Sequence, residues 1–470
     1  MLTIHGNSFR HCDGISRRGF LTIGALGAAG LTLPDLLRAE EAAGIGSSTK
    51  AVINIHLDGG PPQMDMIDPK PDAPAEIRGE FSPISTAVPG IQIGELMPKL
   101  ATNAENFAFI RTLVGSAGAH DAFQCQSGFG KKDLASIGDR PAMGAVLSKL
   151  FANDRQSAPT FVDLMQGRPL VRNSARPGFL GPAYQPFRPD ISHLFSRQLE
   201  PGMKNELARL GSGHATSLAL NEQLSIPRLT DRTQLLAGLD RIRRSVDSSG
   251  MMYAMDRFTQ QAVNILTSGK LADALDLENV DPAVRRRYEY STRAKGQRSE
   301  YSDGPEATYK LLLARRLIEA GVRCVSVSLS DFDTHRNNFD RLRHILPLLD
   351  HGLEALVTDL RERGMFDDVS IVLWGEFGRT PRIDAKTAGR HHWPRVGMAL
   401  LAGGGMQTGQ TIGITDRHAS ETLSRPVHYK DVFATLYRNL GIDALGVTVT
   451  DPTGRPQYLL DSGTPLDELV

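Results

Sequence analysis

Cysteine is scarce in this chain, and its scarcity excludes one way of stabilising the fold. Three of the 470 residues are cysteine: Cys12, Cys125 and Cys324. So few cysteines cannot form the disulfide framework that holds small secreted domains together. Cys12 lies near the N-terminus and Cys324 falls inside an apolar run. We therefore expect Cys324 to be a buried free thiol rather than half of a disulfide bond.

An excess of charge of either sign is also lacking. The 53 lysine and arginine residues balance the 53 aspartate and glutamate residues, so the formal net charge is +0. This balance removes the electrostatic case for a nucleic-acid partner or for binding to an anionic membrane. The Gly-x-Gly-x-x-Gly and Walker patterns are absent as well, which argues against nucleotide binding of those types.

A hydrophobic run long enough to span a bilayer is not apparent either. The N-terminal apolar run over residues 20–33 is shorter than the roughly 20 residues that a membrane-spanning helix needs. It follows Arg17, Arg18 and Gly19. A paired arginine before a modest apolar stretch is typical of a twin-arginine signal peptide, although an amphipathic N-terminal helix with a chance arginine pair would look the same.

We therefore predict a twin-arginine signal peptide over residues 1–43 and a mature chain over residues 44–470. The expected location is the periplasm or the extracellular space. We expect no membrane span in the mature chain.

The rest of the sequence alternates strand-like and helix-like patterns. Short apolar runs joined by helical segments predict an α/β fold, with a doubly wound, mainly parallel sheet covered on both faces. The predicted strands cover residues 51–57, 107–113, 322–329, 369–374 and 396–402, and the predicted helices cover residues 307–320, 339–363 and 428–440. Residues 165–300 carry few strand signals and predict a helical insertion, with helices over residues 234–246 and 251–266.

Polar residues collect beside the predicted strand ends, which is where ligands bind in an open parallel sheet. Carboxylates and imidazoles are the ligands of divalent cations such as zinc, manganese, magnesium or calcium. A single loop of this kind is more typical of a solvated, hydrogen-bonded turn. Several together leave a metal site and solvated turns as equal alternatives. The candidate ligands are Asp58, Asp331, Asp333, His335, Glu376, His391 and His392.

Arg379 lies three residues beyond Glu376 and has two interpretations. A guanidinium beside a metal site can bind a phosphate, sulfate or carboxylate through two parallel hydrogen bonds. It can equally form a buried salt bridge with Glu376 or Asp333, and the sequence leaves both open.

Several longer strings resemble one family of proteins. Together they resemble the exported proteins of domain of unknown function 1501, in the alkaline phosphatase-like superfamily of sulfatases and phosphatases. This resemblance implies a three-layer α/β fold with metal-site loops at the carboxyl edge of its sheet. The matching strings are residues 59–65 (GGPPQMD), 68–70 (DPK), 333–335 (DTH), 376–381 (EFGRTP), 389–393 (GRHHW), 428–443 and 451–456.

The resemblance also implies roles for single residues, with one departure. Asp58 fits the superfamily's first metal-ligand position, Asp331 and His335 fit its Asp-x-x-x-His pair, and His391 or His392 fits its last histidine. Where an Asp-His pair is expected, this chain has Glu376 and Phe377. Phenylalanine cannot ligate a metal, so we expect one of the two usual ion sites to be lost or reshaped.

The nucleophile position of the superfamily falls near Ser116 and His120. The Cys-x-Pro-x-Arg string of the sulfatases is missing there, which argues against formylglycine chemistry. The resemblance thus suggests an exported metal-dependent hydrolase of phosphate or sulfate esters. In it Ser116 would be the nucleophile, His120 the acid or base, and Arg379 the group that neutralises developing charge.

Two other hypotheses remain open. The chain could be a catalytically degenerate binding protein of the same fold that recognises an anionic glycan, for instance a sulfated one, or a protein partner. It could also be a structural or secretion-associated protein in which the polar clusters only tie loops together.

Overall fold

The computed structural model describes residues 50–120, 123–130, 133, 139–151, 158–165, 175–194, 265, 268–291 and 303–470. The predicted signal peptide lies outside these residues, as do the predicted helix over residues 234–246 and all but residue 265 of the one over residues 251–266. The boundaries of the predicted insertion therefore stay predictions.

The described residues form sixteen strands and ten α-helices, numbered here in chain order. The strands are β1 Ala51–Leu57, β2 Pro83–Ser85, β3 Gln92–Gly94, β4 Phe107–Val114, β5 Phe161–Asp163, β6 Cys324–Leu329, β7 Val369–Trp374, β8 Gly378–Arg379, β9 His392–Trp393, β10 Gly397–Gly403, β11 Gln410–Ile412, β12 Ile414–Thr415, β13 Thr422–Ser424, β14 Val427–His428, β15 Thr448–Thr450 and β16 Pro456–Tyr458. The helices are α1 Gln63–Met66, α2 Ala75–Arg78, α3 Pro98–Thr102, α4 Gln124–Ser127, α5 Met143–Phe151, α6 Lys270–Leu275, α7 Pro282–Tyr288, α8 Tyr309–Glu319, α9 Asn338–Glu362 and α10 Tyr429–Asn439.

One eight-stranded sheet organises the fold. Its order is β11-β4-β10-β7-β1-β6-β5, and β14 also pairs with β4. β5, β6, β1 and β7 are parallel to one another, whereas β10 runs antiparallel to both of its neighbours, β7 and β4. The mainly parallel sheet predicted from the sequence is confirmed, with β10 as its reversed strand.

Helices cover both faces of this sheet, as the alternation along β1 shows. Ile53 and Ile55 belong to the main hydrophobic cluster, together with the buried faces of α8 and α9. On the opposite face, Asn54 accepts a hydrogen bond of 2.8 Å from the indole of Trp374. The Trp374 ring lies 5.2 Å from the ring of Phe433 in α10. The result is the three-layer, doubly wound α/β arrangement that was predicted.

The predicted strands and helices of the sheet lie within two residues of the observed ones. β1 and β7 begin and end where the sequence placed them, and α9 is shifted by a single residue at each end. Cys125 and Cys324 are both buried and free. Among the described residues, no helix is both long enough and apolar enough to cross a membrane.

Candidate metal centre

One edge of the sheet gathers most of the polar residues predicted from the sequence. β1, β6 and β7 are parallel, so their carboxyl ends lie at the same edge and are followed by Asp58, Asp333 and Glu376. Because β10 is antiparallel, it begins at that edge, and His392 precedes it. His120 follows β4 and reaches the same place, where it hydrogen-bonds to Glu376.

A close backbone approach joins the loops after β1 and β6. Gly59 has a φ of +112°, and a Cβ atom at this position would lie 2.2 Å from the backbone nitrogen of Asp333. Only glycine tolerates both the conformation and the distance. The backbone N–H of Phe332 donates to the carbonyl of Asp58 at 3.1 Å, which fixes the two loops against each other.

The inner cluster consists of His56, Asp58 and Glu376, whose ligand atoms all lie within 4.8 Å of one another. All three residues are buried, and His56 and Glu376 have no exposed surface. Glu376 Oε1 accepts a hydrogen bond of 3.0 Å from the backbone of Gly59. Glu376 Oε2 lies 3.5 Å from His56 Nε2. Neither that oxygen nor either nitrogen of His56 has a hydrogen-bond partner.

Burial dominates the protonation of the inner cluster. It raises the pKa of Glu376 to about 7, because a carboxylate charge is poorly solvated there. Burial, with a smaller contribution from the charge of His120, lowers the pKa of His56 to about 3. The imidazole of His56 is therefore neutral at physiological pH, which is the form that binds a metal.

The outer cluster consists of His120, Asp333, His335 and His392. His335 Nε2 lies 3.0 Å from His392 Nε2 and 3.2 Å from Asp333 Oδ1. The distance from His392 Nε2 to Asp333 Oδ1 is 3.7 Å. Three ligand atoms thus form a small triangle, and His120 Nε2 lies 3.6 Å from the other oxygen of Asp333.

His120 connects the two clusters. Its Nδ1 lies 2.8 Å from Glu376 Oε1, and its Nε2 is directed to the outer cluster. The ring packs edge-on against His392, with ring centroids 4.6 Å apart. Phe377 covers His392 from another side, at a centroid distance of 4.2 Å.

Arg379 is fully buried and fixes several loops at once. Its Nε donates to the carbonyl of Gly60 at 3.0 Å and its Nη1 to the carbonyl of Arg390 at 2.9 Å. Its Nη2 donates to the carbonyl of Gly59 and, at 2.6 Å, to Asp333 Oδ1. These contacts favour the salt bridge to Asp333 over capture of an external anion.

Arg379 also determines the charge state of Asp333. Burial alone would raise the pKa of this carboxyl group, but the neighbouring His392 and the hydrogen bond and charge of Arg379 outweigh it. The pKa of Asp333 is held well below its usual range as a result. Asp333 is therefore ionised and available as a ligand.

The remaining predicted residues lie beside the clusters rather than in them. Asp331 belongs to neither cluster, and its Oδ2 accepts a hydrogen bond from the backbone of Asp303 at 3.3 Å. The hydroxyl of Ser116 donates to the carbonyl of Glu376 at 2.6 Å. His391 Nδ1 lies 2.8 Å from His335 Nδ1, on the side away from the triangle.

His56 was missed by the sequence reasoning, although a signal for it exists. It lies inside the apolar strand β1, where a single histidine reads as part of the core. Asn54, His56 and Asp58 nevertheless occupy alternate positions, and alternate residues of a strand share one face. A polar residue at every second position of an otherwise apolar strand could have indicated a polar site on that face.

Comparison with protein families identifies the chain. The model of the family described as protein of unknown function DUF1501 matches residues 49–470. The chain belongs to this family. The family predicted from the sequence motifs is thus confirmed, and the DUF1501 match spans every residue of both clusters. No curated protein matches the sequence.

Solved structures with a similar fold are distant from this DUF1501 protein. A sulfatase from Pseudoalteromonas sp. is 12% identical, with 86% of this chain and 70% of that chain covered and a TM-score of 0.37. A lipoteichoic acid synthase from Listeria monocytogenes is 11% identical, with 84% and 72% covered and a TM-score of 0.35. A phosphonate monoester hydrolase of Agrobacterium radiobacter is 14% identical, with 89% and 77% covered and a TM-score of 0.34. Similarity at this level carries no argument about chemistry.

Proposed function

We propose that this protein is a divalent-metal-dependent hydrolase of anionic phosphate or sulfate esters, with the inner and outer clusters as its metal centre. The observation that carries the proposal is that two facing buried atoms of the inner cluster, His56 Nε2 and Glu376 Oε2, have no hydrogen-bond partner. A buried polar atom without a partner costs about 1–3 kcal/mol. A cation between His56, Asp58 and Glu376 would satisfy His56 Nε2 and Glu376 Oε2 together.

The spacing of the donor atoms supports the same proposal. Ligands at about 2.0–2.2 Å from a tetrahedral metal lie roughly 3.3 Å from each other. The separations in the outer triangle are 3.0, 3.2 and 3.7 Å, and the inner pair is 3.5 Å apart. Neutral imidazoles with carboxylates suit zinc or manganese better than calcium, which prefers oxygen ligands alone.

Different residues of the protein would have different roles in hydrolysis. A bound divalent cation supplies positive charge that polarises an ester oxygen and eases the deprotonation of water. His120 Nδ1 is engaged by Glu376, so Nε2 is the nitrogen that can accept a proton and return it to the leaving group. Arg379 holds the ligand Asp333 in place, and Phe377 excludes water from one side of His392.

A second candidate is a binding protein of the same fold, for an anionic glycan or a protein partner. One observation favours it. The hydroxyl of Ser116 gives its proton to the carbonyl of Glu376, not to a base, and accepts from the backbone of Gly118 at 3.1 Å. Ser116 therefore lacks the neighbouring base that activates a serine nucleophile.

Metal analysis separates these candidates. Protein purified after export should contain a divalent cation, and removing it with a chelator should lower the melting temperature, since the cation binds only the folded state. Readdition of zinc, manganese, magnesium or calcium shows which ion restores the melting temperature. A screen of phosphate and sulfate esters should then show turnover by the loaded protein.

The variant His392→Ala tests whether this cation lies at the proposed centre. We expect it to reduce metal content and remove turnover, because one corner of the outer triangle is lost. His193→Ala is the matched control, since His193 is exposed in a separate 3₁₀ turn over Ser192–Leu194. Metal without turnover would favour the binding protein. A chain that binds none of the four ions would overturn both.

We propose in addition that the chain is exported by the twin-arginine route, which would place the centre in the periplasm or outside the cell. The support is the arrangement of Arg17 and Arg18 before the apolar run of residues 20–33. Replacing both arginines with lysine should leave folded protein in the cytoplasm, as fractionation and immunoblotting would show. Undiminished export of that double variant would contradict this assignment.

A further inference from the structure

A hydrogen-bonded series of three side chains, His335, His391 and Asp384, runs outward from the proposed metal centre. His335 Nδ1 lies 2.8 Å from His391 Nδ1, and His391 Nε2 lies 3.2 Å from Asp384 Oδ2. Both histidines are half exposed, at 42% for the side chain of His335 and 48% for that of His391. Both ring nitrogens of His391 therefore form hydrogen bonds within this series of side chains.

The loop that carries Asp384 and His391 is fixed to the segment that carries His335. The backbone of Asn337 donates to the carbonyl of Thr387 at 2.9 Å, and the Thr387 hydroxyl donates to the carbonyl of His335 at 2.8 Å. A Cβ atom on Gly389 would lie 2.0 Å from the carbonyl oxygen of His335, so only glycine allows this approach. The contact between the two imidazoles is thus held by backbone on both sides.

Hydrogen-bond accounting fixes the tautomers along this chain. Asp384 Oδ1 accepts from the backbones of Lys386 and Thr387, at 2.8 and 3.0 Å, and an ionised carboxylate only accepts. His391 must then donate from Nε2, and a neutral imidazole has a single N–H. His391 Nδ1 is left as an acceptor, so His335 donates to it from Nδ1. The lone pair of His335 Nε2 consequently faces Asp333 and His392.

A different partner fixes the tautomer of His392, with the proton again on Nδ1. Its Nδ1 lies 3.2 Å from the carbonyl of Gly118, which can only accept, so its Nε2 also presents a lone pair. Two imidazole lone pairs and Asp333 Oδ1 then meet within 3.7 Å, as a cation requires.

We propose that Asp384 and His391 are a positioning relay that fixes His335 in its metal-binding tautomer, and that His391 is not itself a ligand. Metal-binding histidines commonly donate their second N–H to such an outer partner, which orients the ring and raises its basicity. Here the partner is an imidazole that is oriented in turn by a carboxylate. The inference rests on the proposed metal centre.

The test compares His391→Leu with His391→Gln. Leucine removes the acceptor for His335 Nδ1–H, whereas the glutamine side-chain oxygen can replace it. With Zn²⁺ as the probe and chelator competition as the assay, we expect His391→Leu to weaken one binding site by about 10–100-fold. His391→Gln should stay within about threefold of the wild-type protein, and His193→Leu serves as the control for loss of a surface histidine.

A second measurement does not depend on any variant folding. Long-range ¹H–¹⁵N spectra of the wild-type protein labelled with ¹⁵N-histidine report the tautomer of each imidazole. The relay predicts a proton on Nε2 of His391 and on Nδ1 of His335. A proton on Nδ1 of His391, or equal zinc affinity in His391→Leu and the wild-type protein, would overturn the relay. Loss of a whole zinc equivalent in both His391 variants would instead make His391 a ligand. If the wild-type protein binds manganese, magnesium or calcium instead of zinc, that ion becomes the probe. Wild-type protein that binds none of the four ions would refute the proposed centre, and the spectra would still decide the relay.

Discussion

Replacing Lys310 with methionine should lower the free energy of unfolding by about 3–5 kcal/mol, because it leaves a buried carboxylate without its partner. Lys310 is fully buried in α8, and its Nζ donates to Asp303 Oδ1 at 2.5 Å and to the carbonyl of Ser328 at 2.7 Å. Asp303 Oδ2 accepts from the backbone of Ser330 at 2.5 Å. The ion pair therefore holds the end of β6, from which the loop with Asp333 and His335 departs.

Chemical denaturation of Lys310→Met measures the effect, and two further variants interpret it. The double variant Asp303→Asn, Lys310→Met should recover much of the loss, since no buried charge is left unpaired. Lys430→Met is the matched control: its partner Asp461 is half exposed, and such surface pairs contribute at most about 1 kcal/mol. Equal losses of unfolding free energy in Lys310→Met and Lys430→Met would show that the buried pair stabilises the fold no more than the surface pair does.

Replacing Glu376 with glutamine should weaken metal binding by more than about 100-fold. Mutation of a residue that only hydrogen-bonds to a metal ligand typically lowers metal affinity by about 10–100-fold. Glu376→Gln removes a negative charge from the inner cluster itself. Titration of the chelator-treated variant with zinc and manganese measures the loss. The geometry of the side chain should survive, because the glutamine oxygen can still accept from the backbone of Gly59 as Glu376 Oε1 does.

Glu376→Gln should weaken metal binding, but it should raise the stability of the metal-free protein at alkaline pH. Burial raises the pKa of Glu376 to about 7, above the ordinary 4.5, so the folded state holds a proton that the unfolded state releases. That contribution to stability is complete below about pH 4.5 and is lost as the pH rises through 7. Glutamine removes this loss, and metal-free Glu376→Gln should melt at or above the wild-type temperature at pH 8.

Melting curves with and without metal decide what Glu376 does. The wild-type protein should gain more stability than the variant when metal is added at the same concentration. Glu376 could have been the partner of Arg379, but Arg379 forms its ion pair with Asp333. Unchanged metal affinity together with a lowered melting temperature of the metal-free variant would refute a ligand role for Glu376.

Local sequence patterns were enough for five strands of the main sheet and for α8, α9 and α10. The run AVINIHL between Lys50 and Asp58 is apolar and β-branched, which favours a strand, and β1 occupies these residues. The apolar periodicity of residues 339–363 extends across Pro347, and α9 continues through that proline. The antiparallel direction of β10 was not predictable. A run of apolar residues predicts a buried strand but does not indicate whether the strand is parallel or antiparallel to its neighbours.

Phe377 occupies the position at which the family resemblance implied a histidine. With phenylalanine in place of a histidine, the sequence implied that one ion site was lost or reshaped. In the structure Phe377 packs against His392, and His56 of the central strand faces Glu376 instead. A histidine from another strand therefore contacts Glu376, and no local motif could have paired these two residues, which are 320 positions apart.

The sequence by itself determined five of the eight strands of the sheet, the family, and the loops that carry polar residues, because these depend on local spacing and on short strings. Only the tertiary structure decided which side chains meet. Strand order places β1 between β6 and β7, so Glu376, His56 and Asp333 become neighbours although they lie in distant parts of the chain. The partner of Arg379, the position of Asp331 outside both clusters and the contact of His391 with His335 all follow from distances of a few ångströms between loops. Such distances are set by strand order, register and backbone approach at Gly59 and Gly389, and residue types alone do not encode them.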